Sequence, residues 1–404
     1  MTEKIWNFIE RKKVVMFFII ITVISVYARI TMLDFVSGDF YACIEPWFYQ
    51  LKEYGGLKAL NLDIGNYNLP YLTILALLTY LPIEPIVSVK FVSIICDYIC
   101  ALAALKIVYI VLKNNKNKDF FALLVYGIVL FLPTVLINSA CWGQADSIYV
   151  AFMLLSISAL IEEKYLKSFV FLGISFAFKL QFIFILPLYV LIYISKRKFP
   201  LYYFLIIPLV NIIMCLPAIA FGKPVSACID IYINQTSEYS AYLSMNFPGI
   251  YNLLFPTNSY NYVMAPNEYI SKVGVLATIF VFVIMAFMVI YKKIKFDNQK
   301  IVEFGLWSVM IATFLLPHMH DRYLFAGDIL SVIYCIYNRD KIYVPIGISL
   351  ISMYGYTGFL FGQNPIPIQY ISFIYLVLVA IVTKDLYNKY FAETDNSNEL
   401  SFKV

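Results

Sequence analysis

VVMFFIIITVISVYARITML, residues 14–33, is an apolar run of about 20 residues, enough to cross a hydrocarbon core of about 30 Å as one helix. It runs straight into LDFVSGDFYACIEPWFYQLKEYGGLKALNLDIGNYNLPY, residues 33–71, which gathers Asp34, Asp39, Glu45, Glu53 and Asp63. Elsewhere charges are sparse. The chain is 62% hydrophobic and 14% charged, against about 25% charged in soluble domains. Apolar runs like the first recur to the end of the chain, and a barrel would need short alternating strands instead. The fold class is therefore an all-α polytopic membrane protein. The net charge of +5 is no nucleic-acid signal, because the basic residues fall in short loops between apolar runs.

Those loops set an expected topology. Lys4, Arg11, Lys12 and Lys13 precede the first run. A cleaved signal peptide is the competing reading, but the run is long for one and no clean small-residue cleavage site follows. As a retained span it leaves the N-terminus in the cytoplasm and the Asp39 loop outside. About twelve spans of helical length follow, at 14–33, 86–112, 119–137, 147–161, 168–178, 182–194, 200–221, 272–291, 301–316, 322–337, 342–359 and 368–384. This places KNNKNK, EEKYLK, SKRK, KKIKFDNQK, NRDK and the C-terminal tail inside, together with most of the 30 Lys and Arg. YLTILALLTYL, 71–81, lies between Pro70 and Pro82 and is too short to span, so it is expected to dip into the outer leaflet. Residues 168–178 and 182–194 are expected to be half-depth helices meeting near Lys179 and Gln181. One integral-membrane unit covers 1–404: an N-terminal module 14–221 with the acidic loop 34–70, an outer segment 222–271, and C-terminal helices 272–404.

Four polar patches share the outer side: 34–70, NSACWGQADS at 138–147, the Tyr- and Asn-rich 222–271, and PHMHDRY at 317–323. Asp39 stands a few residues past the first span, where an ionisable group is usually functional. Pro46 opens an amphipathic stretch with Trp47 as interfacial anchor. His318 and His320 are the two histidines of the chain and adjoin Asp321 and Arg322. Two interfacial histidines are the bland account. A metal site lacks further His or Cys, whereas Arg and His suit an anion. Lys179, a lone cation between two short helices, is a second phosphate candidate; Arg29 and Lys90, near outer span ends, are weaker candidates or simply snorkelling cations. Trp142, Gln144 and Asp146 open the fourth span. Asp146 there is a helix cap or, with Gln144, a ligand of sugar hydroxyls or metal. Asp97, midway along the second span, is as well explained by a structural hydrogen bond. The seven cysteines show no metal spacing and read as small apolar residues. An acid and a cluster of cations at membrane depth suggest group transfer from a lipid phosphate.

SGDFYACIEPWFYQLKEYGG with NYNLPYLTILALLTYLP, then WGQADS, then FAFKLQFIFILPL, then PHMHDRY, taken in that order, resemble the GT-C superfamily of integral-membrane glycosyltransferases. The likeness is greatest to the bacterial group related to the GPI mannosyltransferases and to the ER glucosyltransferases that use dolichyl-phosphate-glucose. Asn68-Leu69-Pro70 stands where that family usually has Pro-Pro, and Asp321 where it usually has Glu. The resemblance implies a GT-C fold and an inverting hexosyltransferase. Its donor would be a polyprenyl-phosphate sugar, its acceptor a cell-envelope glycan or glycolipid, and its site extracytoplasmic. It further implies Asp39 as base, with His318, His320, Arg322 and Lys179 at the donor phosphate. Tyr67, Gln181, Trp142, Gln144, Asp146 and Asp321 join the substrate-binding set by position in these motifs. No nucleic acid is involved, and a divalent cation is left open. A flippase or a glycan polymerase is the alternative, and a flippase needs polar groups running through the depth of the bundle.

Overall fold

The structure, a computed structural model, describes residues 2–392. The Lys4 and Arg11 side chains and the tail from 393, which the charge argument used, lie outside that description. The chain is helical almost throughout. In order come α1 (Thr2–Ile30), α2 (Glu45–Glu53), α3 (Leu69–Leu78), α4 (Pro85–Val111), α5 (Lys118–Phe131), α6 (Pro133–Leu136), α7 (Asp146–Ile161), α8 (Tyr165–Phe178) and α9 (Leu186–Lys196). The second half holds α10 (Ile206–Ala220), α11 (Ala227–Glu238), α12 (Tyr251–Leu254), α13 (Glu268–Tyr291), α14 (Asn298–Leu315), α15 (Phe325–Tyr337), α16 (Tyr343–Phe361) and α17 (Ile368–Tyr390).

This is an all-α membrane protein, with fewer full-length spans than the twelve expected. Six helical stretches are long and apolar enough to cross a bilayer: Lys12–Ile30, Pro85–Val111, Leu201–Ala220, Glu268–Tyr291, Arg339–Phe361 and Ile368–Tyr390. A seventh is the pair Lys118–Phe131 and Pro133–Trp142, bent by 51°. Proline explains the bend. Leu132 is pushed to φ −54°, ψ 125° by the ring that follows it, and Pro133 has no N–H to continue the ladder. The remaining predicted spans are helices too, but α7, α8 and α15 have only 16, 14 and 13 residues. α7 and α15 are buried on nearly every side, as befits the core of a bundle. The expected break at Lys179 is present: its backbone is extended (φ −158°, ψ 135°) between α8 and a 3₁₀ turn over Leu180–Ile185.

Two buried cations that the sequence presented as snorkelling residues lock the first helix instead. The Arg29 guanidinium donates to Asp97 Oδ2 at 2.9 and 3.1 Å, to Ser25 Oγ and to the Leu130 carbonyl at 3.2 Å. Ser139 Oγ donates to the same Asp97 oxygen at 2.5 Å. One buried pair thus joins α1, α4, α5 and the π-helical turn Ile137–Trp142. Lys90, fully buried on α4, spends its three N–H donors on the carbonyls of Met32, Leu33 and Phe35 at 3.1, 2.9 and 2.6 Å. These carbonyls lie just past the end of α1, where no helical donor remains for them.

The segment 222–271 is not a loose cover. Beyond α11 it forms β1 (Tyr242–Met245), antiparallel to β2 (Tyr262–Met264) and parallel to β3 (Met319–His320). That sheet ties the segment to the histidine motif. Trp47 also differs from expectation. Its ring lies where a Cβ on Gly65 would meet it at 2.7 Å and stands 5.6 Å from the Tyr67 ring, so it packs inward.

Breaking the Arg29–Asp97 pair from one side should be worse than removing it whole. Loss of one partner leaves a buried uncompensated charge, costing about 3–5 kcal/mol. Arg29→Ala is expected to unfold at markedly lower temperature in detergent than the Arg29→Ala/Asp97→Ala double variant. Additive losses in that cycle would contradict the coupling.

Candidate functional site

Asp39 is held by the stretch 138–146. Ser37 Oγ donates to the Trp142 carbonyl at 3.0 Å and accepts from Phe40 N at 3.2 Å, which starts the helical turn carrying Asp39. Gly143 takes φ +76°, a left-handed conformation suited to glycine, and turns the chain from the π-helix into α7. This brings Trp142 Nε1 and Gln144 Nε2 onto Asp39 Oδ2 at 3.1 and 2.9 Å. Tyr67 donates to Gln144 Oε1 at 3.3 Å, and burial pushes its phenol up to about 12, so it stays a donor. The aromatic face of Trp142 is stacked on Phe359 at 4.8 Å.

Asp146 differs from its expected roles. It caps nothing by side-chain bond; its carboxylate is fully buried and anchors the two cations. Lys179 Nζ lies 2.5 Å from Oδ1, so Lys179 is a paired cation and not a lone one. Oδ2 accepts from Asn138 at 3.0 Å and lies 3.5 Å from Arg322 Nε. Arg322 is shared more widely still. Its Nη1 is 3.9 Å from Asp39 Oδ2 and 3.6 Å from Asp321 Oδ1, and its plane sits 5.4 Å over the Trp142 ring. None of these carboxylates is at hydrogen-bond distance. Arg322 Nε and Asp321 Oδ1 are buried without a hydrogen-bond partner.

The two histidines are held differently. His318 sits at φ +63° and places Nδ1 3.1 and 2.5 Å from the carbonyls of Tyr239 and Tyr242. Two acceptors at one nitrogen require that Nδ1 carries the proton, so this ring is spent partly on holding β1. His320 packs edge-on to Tyr239 at 4.7 Å and beside Tyr323 at 5.2 Å. Burial first, then Arg322 and Lys179, drive its pKa well below the ordinary value, so it is a neutral imidazole.

A cavity of about 360 Å³ lies against this cluster. Lys179, Gln181, His318, His320, Arg322 and Tyr67 line it, with Ile183, Phe184, Val275 and Leu316 on its apolar side. Asp39, Trp142, Gln144 and Asp146 stand next to it, in contact with Tyr67 and Arg322, which line it. Gln181 Oε1 is buried without a partner at the wall. The sequence motifs thus converge, but on two sides of one arginine. Sequence reasoning missed Asn66, Gln235, Glu238 and Tyr239 on the cavity wall. A polar face at Tyr232, Gln235 and Glu238, three residues apart, was the available signal.

Among the described residues, no group of three or more His, Cys, Asp or Glu side chains is placed to hold a metal ion. All seven cysteines are free. No model of a known protein family matches this chain, and no characterised protein matches it by sequence.

Asp321 makes the site pH-sensitive. Burial raises its pKa from 3.8 to about 7, with Asp39 and Asp146 adding to the rise and Arg322 opposing it. Below pH 3.8 both folded and unfolded chains hold the proton. Between there and about 7 only the folded chain holds it, so stability falls as pH rises through this window. Asp321→Asn lacks that loss. Its stability relative to the parent should climb from pH 4 to 7 and then level, as read by thermal unfolding. A pH-independent difference would show that the carboxyl ionises normally.

Proposed function

We propose that this protein is a GT-C-type hexosyltransferase that moves a sugar from a polyprenyl-phosphate donor to a cell-envelope glycan or glycolipid. The observation that carries the reading is the sharing of Arg322. One mostly buried guanidinium, with hydrogen-bonding capacity unspent, reaches both a carboxylate and a cavity lined by apolar and cationic side chains. A polyprenyl phosphate needs that combination, with lipid on the apolar wall and oxygens facing Arg322 and Lys179.

The chemistry follows from the oxygen that Asp39 leaves free. Trp142, Gln144 and Arg322 all address Oδ2. Oδ1 is left to accept the proton of an acceptor hydroxyl. The hydroxyl oxygen then attacks the anomeric carbon on the face opposite the phosphate. The bond from that carbon to the phosphate oxygen breaks, and the electron pair leaves on the polyprenyl phosphate. Arg322 and Lys179 stabilise the charge gathering there. Attack from the opposite face inverts the anomeric centre. Transfer is favoured over transport because the two charges expected in mid-span, Asp97 and Lys106, are paired off, Asp97 with Arg29 and Lys106 with Glu162.

Two experiments bear on this. Purified protein is incubated with a panel of polyprenyl-phosphate hexoses, with and without added divalent cation. Asp39→Asn preserves shape and the two donors' partner but removes basicity, so it should lower kcat by about 10² to 10⁴ while donor binding stays near parental. Retention of more than about a third of parental kcat would remove Asp39 from the role.

The orientation follows the positive-inside bias. In a cysteine-free background, Asp63→Cys, at a fully exposed position, should react with an impermeant reagent on intact cells. Lys116→Cys should react only after the membrane is opened. The reverse pattern would put the site in the cytoplasm.

A further inference from the structure

The cavity wall also carries amides and an acid, and these polar groups are fastened in one chain. Tyr232, Gln235 and Glu238 stand on one face of α11. Tyr232 OH donates to the Phe176 carbonyl at 2.8 Å and accepts from Asn68 Nδ2 at 3.0 Å. Gln235 Nε2 donates to the Asn66 carbonyl at 2.7 Å and to Asn68 Oδ1 at 3.1 Å. The Asn66 amide in turn donates to both oxygens of Glu238, at 2.8 and 3.0 Å. Asn66, Asn68, Gln235 and Glu238 all line the cavity that Lys179 and Arg322 also line.

Unlike Asp146, which is paired with Lys179, the Glu238 carboxylate is held by a neutral amide. It is well suited to sugar hydroxyls, which are donors. Its two oxygens accept about four hydrogen bonds, and Asn66 uses two of them. The cavity therefore offers Lys179 and Arg322 to an anion and Glu238 to hydroxyls. Asn66 fixes the carboxylate rotamer in advance, so little freedom is lost when a ligand binds.

Resting on the transferase reading above, we infer that Glu238, held by Asn66, is the residue that reads the donor sugar, and that it selects sugars with free hydroxyls and rejects those bearing a carboxylate. A uronic acid would set a second anion beside Glu238. A neutral hexose satisfies it with one or two hydroxyls. Glu238 is a specificity residue and takes no part in bond making.

The test compares the sugar with the lipid phosphate alone. Glu238 is exposed at the end of α11, so its replacement leaves the core untouched. Binding of polyprenyl-phosphate hexose and of sugar-free polyprenyl phosphate is measured for the parent, Glu238→Gln and Glu238→Ala. Loss of a charge-assisted contact should weaken the sugar-bearing donor about tenfold and leave the sugar-free lipid unchanged. In turnover, the parent should prefer a hexose donor to a hexuronate donor by more than about tenfold in kcat/KM, and Glu238→Gln should remove most of that preference. Equal weakening of both lipids, or an unaltered preference in Glu238→Gln, overturns the subsite while leaving the transferase reading in place. A parent that transfers no sugar from any donor overturns both.

Discussion

Arg322 is a mostly buried guanidinium that no single carboxylate owns. Asp39, Asp146 and Asp321 surround it at 3.5 to 3.9 Å, too far for a closed fork. A buried cation needs such partners, because desolvation otherwise exceeds what one pair returns. The three acids come from three separate stretches of chain, so the arginine can be accommodated only when the acidic loop, the start of α7 and the histidine motif have all docked. Folding of this end of the bundle and assembly of the site are one event. The loose geometry has a second effect: an anion entering the cavity meets donors that are charged, buried and not yet committed.

Broken helices supply the room. A continuous transmembrane helix satisfies its own backbone and has nothing to offer a ligand. Here proline at 133 and the extended residue 179 interrupt two helices, and Gly143 turns the chain sharply between the π-turn and α7. The polar side chains at two of these breaks, Lys179 and the Trp142–Asp146 stretch, make the site. The third strand of order, the short β1–β3 pairing, holds Met319 and His320 beside the segment 242–245 and so fixes where the next two residues, Asp321 and Arg322, can stand.

Much of this was legible in the chain. Helical class and the polar stretches that meet came directly from apolar run lengths and from charge placed where charge is rare. The short helices were harder. α7 and α15 are apolar but shorter than a full span, and their burial by neighbours on nearly every side is visible only in the fold. Pairings were not legible at all. Lys90 and Arg29 each sit where a snorkelling residue would sit, and nothing local distinguishes a lysine that reaches water from one that reaches three carbonyls 55 to 58 positions away. The role of Asp146 was hidden for the same reason, since its partner Lys179 is 33 residues distant. Glu238 was obscured by its setting in a segment rich in Tyr and Asn, where no single residue stood out.

The lysine staple also imposes an order on synthesis. The first helix leaves the ribosome and can enter the bilayer on its own apolarity, well before α4 exists. Until residue 90 has been made, the carbonyls of Met32, Leu33 and Phe35 have no ammonium to gather them, and the acid four residues later has no fixed bearing. A nascent chain ending short of Pro85 would carry Asp39 without a position for it.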